Sequence, residues 1–175
     1  KISFNNYLDI NACIQMLLDY GTEHYVTAIL KHTSPNGLAL DKKNQLKSVQ
    51  MAFSCDPLSA FGGIWGLNKK VTPEVADFIV NKEKIFVEVI LAPSFEKEAL
   101  EILKTKENLR ILEFGNFLEN RDEIYKQLEI RSTLGGALIQ EYDYKPIIKE
   151  WNVVSKRKVN KVEKEALIFA YKASK

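Results

Sequence analysis

The amino-acid sequence predicts an α/β fold in which helices cover a central sheet. Helix-like and strand-like patterns alternate along the chain, which is typical of this class. The candidate strands are nearly continuous apolar runs, as expected of strands that are buried on both faces. With 175 residues, 46% of them hydrophobic, the chain is long enough to bury a substantial core.

The first predicted helix carries an apolar stripe with offsets of three and four residues. We expect Asp9 to cap its start and Gly21 to end it. The run 25–30 is rich in β-forming residues and predicts a buried strand, and the polar segment 31–37 predicts a turn after it. The apolar stripe of the first predicted helix consists of Ile10, Cys13, Ile14, Leu17 and Leu18.

The alternation continues to the end of the chain. Thr72-Pro73-Glu74 has the N-cap, proline and early acid of a helix start, and Asn160 and Glu163 have capping-box spacing. A loop with a helical turn is expected over 115–129. The other predicted elements are a helix over 46–53, a strand over 64–67, a helix from 72, a strand over 86–92, a helix over 93–103, strands over 110–114, 134–140 and 151–154, and a helix from 160.

Composition excludes several classes of protein. The formal net charge is 25 − 23 = +2, which argues against a nucleic-acid binder, because such proteins concentrate positive charge on one surface. Cys13 and Cys55 are too few for a disulfide framework or a thiolate zinc site. No apolar run reaches the roughly 20 residues of a membrane helix, and the first residues do not read as a signal peptide. We therefore expect a soluble, cytoplasmic globular domain.

Three features predict chemistry at the carboxyl ends of strands, where open α/β sheets bind ligands. The first is Lys31-His32, because an imidazole can accept a proton and an ammonium can stabilise negative charge. The second is the loop 59–63, whose serine and glycines could hold a phosphate or an amide. The third is Glu88, since a carboxylate in a buried strand needs a partner or a cleft.

Each feature also has a simpler explanation. Lys31 could be a solvated rim residue with His32 capping a turn, the loop 59–63 could be a tight turn, and Glu88 could lie at a strand end open to water. Other catalytic signatures are absent from the sequence. It contains no P-loop, no nucleophile elbow and neither half of the His-x-Glu and Pro-Cys-x-x-Cys signature of zinc deaminases, so no metal is expected.

Four motifs stand in order along the chain, each beside a predicted strand or helix. They are 3–9 (SFNNYLD), 31–37 (KHTSPNG), 56–63 (DPLSAFGG) and 86–93 (FVEVILAP), and the segments 98–103, 131–132 and 135–136 continue the pattern. In this order they resemble the AICAR transformylase region of the bifunctional purine biosynthesis protein. The resemblance covers essentially the whole chain.

The resemblance implies formyl transfer from 10-formyltetrahydrofolate to the 5-amino group of AICAR, in a parent protein that is also an IMP cyclohydrolase. It implies a three-layer α/β/α, cytidine-deaminase-like half-domain and active sites at a homodimer interface. Carried over by motif, His32 is the general base and Lys31 stabilises charge on the formyl oxygen or the folate nitrogen. Gly62 and Glu88 match positions that contact AICAR, and Asn5 lies in a motif near that site.

The sequence also departs from the family pattern. Bacterial relatives commonly read Asn-Pro-Cys-Gly where this chain reads SPNG over 34–37. The family's Arg-Tyr-Gly motif and its Ser-Asn motif are not within the chain, so we expect residues 1–175 to be the first half of the transformylase domain, without the second half or the cyclohydrolase domain. Two alternatives stay open: a catalytically inert folding or assembly fragment of that enzyme, and a zinc-free, deaminase-like nucleotide-binding module.

Overall fold

A five-stranded sheet organises the first of two structural units, Lys1–Glu119, in a computed structural model that describes residues 1–83, 85–143 and 152–174. Its strands are β1 (Tyr25–Lys31), β2 (Ser34–Asp41), β3 (Gly63–Leu67), β4 (Val87–Ala92) and β5 (Arg110–Glu113). Its helices are α1 (Phe4–Tyr20), α2 (Gln45–Cys55), α3 (Pro73–Asn81) and α4 (Lys97–Leu103).

The strands lie in the order β2-β1-β3-β4-β5, and their directions are mixed. Strand β1 is antiparallel to both β2 and β3, whereas β3, β4 and β5 run parallel to one another. The carboxyl end of β1 therefore lies beside the amino ends of β3 and β4: Leu30 pairs with Ile64, and Gly63 pairs with Val87. This edge of the sheet carries the residues singled out in the sequence.

Helices cover both faces of the sheet and make three layers. Helix α1 packs on one face, where a Cβ placed on Gly66 would meet Cys13 Sγ and the Leu17 side chain. The other face buries Trp65 and Ile90 in a core to which α2, α3 and α4 contribute. The predicted α/β class with three-layer α/β/α architecture is thus confirmed.

Two predictions at the amino-terminal end are wrong. Helix α1 begins at Phe4 with Ser3 as its N-cap, in a capping box with Asn6, so Asp9 is a buried residue inside the helix rather than its cap. The segment 31–37 is not one turn, because β2 begins at Ser34 and the turn is only two residues long. Because proline and glycine are disfavoured in strands, Pro35 and Gly37 made this segment resemble a turn in the sequence.

Gly37 has a packing role in β2. A Cβ at this position would lie 2.1 Å from the carbonyl oxygen of Ala52 in α2, so only glycine lets the helix approach the strand this closely.

The start of α4 also differs from the prediction. The helix predicted from residue 93 begins at Lys97, because Phe95 is engaged in an isolated parallel bridge with Val71.

The second unit, Asn120–Lys175, contains a β-hairpin and two helices in its described part. Leu134 and Gly135, predicted to be in a strand, form the hairpin's turn, and Asn160 and Glu163 form the predicted capping box. Of the strand predicted over 151–154, Trp151 lies outside the described residues and 152–154 are not a strand. Its elements are α5 (Arg121–Ile124), β6 (Leu128–Thr133), β7 (Gly136–Glu141) and α6 (Lys161–Ala173), and a short 3₁₀ helix (Phe117–Asn120) spans the boundary between the units.

No helix in the described part of the chain is both long enough and apolar enough to cross a bilayer.

Candidate functional site

Two side chains tie the β1–β2 hairpin to the loop that precedes β3. The Lys31 ammonium donates a hydrogen bond of 2.9 Å to the carbonyl oxygen of Phe61. The Asn36 amide donates one of 3.0 Å to the carbonyl oxygen of Ser59. An ammonium has three donors, so the contact with Phe61 orients Lys31 while using one of them. The predicted catalytic pair is thereby held against the predicted binding loop.

The turn of this hairpin is strained. His32 and Thr33 both have left-handed backbone conformations, with φ of 56° and 60°. Two-residue hairpin turns of this geometry normally contain Asn-Gly, because other residues cost about 1–2 kcal/mol each in this region. Asp9 of α1 accepts a hydrogen bond from the Thr33 backbone N–H through its Oδ1. The strained turn places an exposed His32 at its tip.

Gly62 closes the loop onto the neighbouring strand. Its N–H donates a hydrogen bond of 2.7 Å to the carbonyl oxygen of Phe86, just before β4. Its φ of +72° is the left-handed conformation that favours glycine. The rings of Phe61 and Phe86 lie 5.2 Å apart beside it, and both are substantially exposed. Gly62 therefore lies between Phe61, whose carbonyl oxygen Lys31 binds, and the start of β4.

Glu88 lies near the start of β4 and is partly exposed. Its Oε1 is 3.7 Å from Arg110 Nη1 of β5, so the two side chains form an ion pair. Arg110 Nε also donates a hydrogen bond of 3.4 Å to the carbonyl oxygen of Lys1. This links Glu88 to the segment that leads into α1, where Asn5 lies exposed in the first helical turn.

The predicted site residues share one edge of the sheet. Lys31 and His32 end β1, and Gly62 and Glu88 flank the starts of β3 and β4. Lys31 and His32 lie at the carboxyl end of their strand, as expected, whereas Gly62 and Glu88 lie at amino ends; the antiparallel direction of β1 brings the two pairs to one edge. Asn5 lies on α1, which is linked to the others through the contact of Lys1 with Arg110 and through the contact of Asp9 with Thr33. The functional roles of all five stay predictions.

Sequence reasoning missed two participants. The sequence predicts Arg110 only as the start of a strand. In the structure its side chain forms an ion pair with Glu88 on the neighbouring strand. Asp9 was read as a helix cap. The local signal that places Asp9 inside the helix is Ser3, a preferred N-cap residue that forms a capping box with Asn6.

The loop 56–63 is organised by Asp56. Its Oδ2 accepts a hydrogen bond of 2.5 Å from the Ser59 hydroxyl, and its Oδ1 accepts one of 3.0 Å from the Ser59 N–H. These bonds, that of the hydroxyl foremost, hold the pKa of the Asp56 carboxyl below its usual value. The ionised form is therefore the one that holds the loop.

We expect this loop to loosen in acid. Because the pKa of Asp56 is lower in the folded chain, its stabilising contribution is present above the unfolded pKa of about 3.9 and is lost as the pH falls through the folded value. The Ser59 amide signal in NMR spectra should shift in that window. In Asp56→Asn, which keeps an acceptor that does not titrate, the shift should disappear; its persistence would assign it to another group.

Among the described residues, no three His, Cys, Asp or Glu side chains are grouped in a way that could hold an ion.

Comparison with known proteins identifies the family. The family model described as AICARFT/IMPCHase bienzyme matches residues 1–175. The chain belongs to this family. The family predicted from the motifs is therefore confirmed.

Members of the AICARFT/IMPCHase family with reviewed names match the whole chain. The Bifunctional purine biosynthesis protein PurH of Petrotoga mobilis is 41% identical over 175 residues, which are 100% of this chain and 32% of that protein. The proteins of the same name from Myxococcus xanthus and Caldicellulosiruptor bescii are 38% and 37% identical, again over 100% of this chain and over 33% and 32% of their own lengths. The chain thus spans about a third of the relatives it matches.

Proposed function

We propose that this chain carries part of the active site of an AICAR formyltransferase in purine (IMP) biosynthesis. The co-substrate is 10-formyltetrahydrofolate, and the parent protein is bifunctional, with IMP cyclohydrolase activity, and works as a cytoplasmic homodimer. Family membership supports the reaction class, since the relatives are named bifunctional purine biosynthesis proteins. Residues 1–175 are then the first half of the transformylase domain.

In this reaction the 5-amino nitrogen of AICAR attacks the formyl carbon of the folate. A nitrogen–carbon bond forms, the bond from the formyl carbon to the folate nitrogen breaks, and a proton passes from the amine to that nitrogen. His32 takes the proton from the attacking amine, because an imidazole is a base near neutral pH and lies exposed at the hairpin tip. Lys31 stabilises the negative charge that develops on the formyl oxygen or the folate nitrogen.

Binding of AICAR falls to the neighbouring residues. Gly62 offers its backbone carbonyl oxygen, because its N–H is bonded to the carbonyl of Phe86, and Glu88 presents a carboxylate that Arg110 contacts. Asn5 stands exposed at the start of α1 and supplies an amide. These groups are hydrogen-bonding partners for a polar ribonucleotide rather than for an apolar ligand.

One observation supports this proposal most: the hydrogen bond from Lys31 to the carbonyl of Phe61, which joins the candidate catalytic pair to the candidate binding loop. A solvated rim lysine would not be expected to bridge two separate motifs of the same family pattern. Because Lys31 precedes His32 and Phe61 precedes Gly62, this contact brings His32 and Gly62 near each other in the fold although they are distant in sequence.

The test is a chimera, in which this chain replaces the matching third of the Petrotoga mobilis protein. We expect the chimera to convert 10-formyltetrahydrofolate to tetrahydrofolate in an AICAR-dependent reaction. Lys31→Met should lower the rate. Lys47→Met, at a lysine that pairs with Asp41 toward the other end of β2, is the matched control and should not. A folded chimera without activity would contradict the proposal.

A second candidate, an inert assembly module, is favoured by one observation in the second unit. Its hairpin exposes apolar side chains, including Ile130, Leu138 and Ile139, each more than 60% accessible. A fragment that leaves such surface uncovered is expected to self-associate. An active chimera together with an isolated chain that binds neither AICAR nor folate would establish this role for the chain alone.

A further inference from the structure

We infer that Asp9 is the positioning residue for His32. This inference rests on the proposed function, because it assigns His32 to proton transfer and explains what holds the base in place. It concerns a contact between helix α1 and the hairpin turn, two elements that are distant in sequence and adjacent in the fold.

The turn needs an external restraint. His32 and Thr33 both have positive φ, and Thr33 is β-branched, which makes its left-handed conformation a true outlier. Such conformations persist only where the surrounding structure determines them. The bond of the Thr33 hydroxyl to the carbonyl of His32 is internal to the turn and cannot anchor it to the rest of the molecule.

Asp9 supplies that restraint from a fixed base. Its side chain is buried, with 8% of the residue accessible, on a helix whose start is held by the capping box of Ser3 and Asn6. A buried carboxylate needs a hydrogen-bond partner, and the Thr33 N–H meets this need. The strained turn and the buried acid therefore satisfy each other.

Two further contacts near this turn act on the strands of the hairpin rather than on its tip. Lys31 and Asn36 bind the carbonyls of Phe61 and Ser59, which fix the hairpin sideways along the sheet edge. Neither sets the backbone angles of His32. Loss of Asp9 should leave the hairpin in place while its tip, and with it the imidazole, samples other conformations.

Kinetics of the chimera test this inference. We expect Asp9→Ala to lower kcat about tenfold, because it misplaces the base without removing it and so costs less than the roughly 10²–10⁴-fold of the whole proton transfer, with KM for AICAR changed less than about twofold. Asp9→Asn keeps an oxygen acceptor for the Thr33 N–H and should retain most of the activity. Because alanine is a better helix former than aspartate, the loss in Asp9→Ala cannot come from an unwound α1.

A double variant separates positioning from general packing. Thr33→Gly makes the left-handed conformation inexpensive, so adding Asp9→Ala to it should cost less than about threefold in kcat. A loss of full size in the glycine background, or Asn and Ala variants that are equally impaired, would overturn the inference, as would an Asp9→Ala chimera with full activity.

A structural readout on the chain itself keeps this test independent of the proposed function. Backbone chemical shifts of His32 and Thr33 should report positive φ in the unaltered chain and in Asp9→Asn, and an averaged conformation in Asp9→Ala. If the unsubstituted chimera is inactive, the proposed function fails, and these shifts then decide whether Asp9 holds the turn. Unchanged shifts in Asp9→Ala would overturn the inference.

Discussion

Replacing His32 with asparagine in the chimera should lower kcat for formyl transfer by about 10²–10⁴-fold, the range that a positioned general base contributes. Asparagine tolerates the left-handed conformation better than most residues, so the hairpin turn should keep its shape while the basic imidazole is lost. The measurement is AICAR-dependent release of tetrahydrofolate under saturating substrates.

His32→Ala completes the comparison. Alanine removes the base and also strains the turn, so its loss should equal or exceed that of the asparagine variant. His24, which precedes β1, is the matched control, and His24→Asn should leave kcat unchanged. Activity in His32→Asn close to that of the unsubstituted chimera would remove His32 as the base, whatever the alanine variant does.

A large effect on stability is expected at Gly66 in β3. A Cβ at this position would lie 2.3 Å from Cys13 Sγ and 3.2 Å from Leu17 Cδ1, both buried on α1. Because the core has no room, Gly66→Ala should force α1 away from the sheet and destabilise the chain by about 3 kcal/mol. Urea unfolding followed by circular dichroism measures this.

The clash at Gly66 predicts a specific rescue. Removing the sulfur with Cys13→Ala should make Gly66→Ala less costly, so the double variant should be more stable than the sum of the single effects by about 1 kcal/mol or more. Gly135→Ala, with no neighbouring atom within 4 Å, should change stability by less than about 0.5 kcal/mol. Additive effects would mean that the sulfur is not what meets the new methyl group.

Much of the fold follows from local patterns. The buried strands β1, β3 and β4 were predictable because their apolar runs are nearly continuous, and Gly21 and the Asn160 capping box are local signals. Strand β2 was not predictable, since Pro35 and Gly37 are disfavoured in strands and are tolerated here at an edge position and a close helix contact.

The candidate site was predictable as a set of residues but not as a place. The sequence patterns single out Lys31, His32 and Glu88 as candidate site residues. The rule for open α/β sheets then predicts that they lie at the carboxyl ends of strands. Strand direction is a tertiary property that local sequence does not encode, so the meeting of the carboxyl end of β1 with the amino ends of β3 and β4 was not predictable. The contact of Asp9 with Thr33 spans 24 positions in sequence and has no local signal.

The two outermost strands of the five-stranded sheet bear on whether copies of the chain can pair through that sheet's edges. An exposed strand edge is a template on which another chain can add its own strand. Here one outer strand, β2, contains Pro35, which has no N–H to offer a newcomer, and the other, β5, is only four residues long. Both edges are poor templates. We therefore expect copies of this chain to associate, where they do, without extending the sheet.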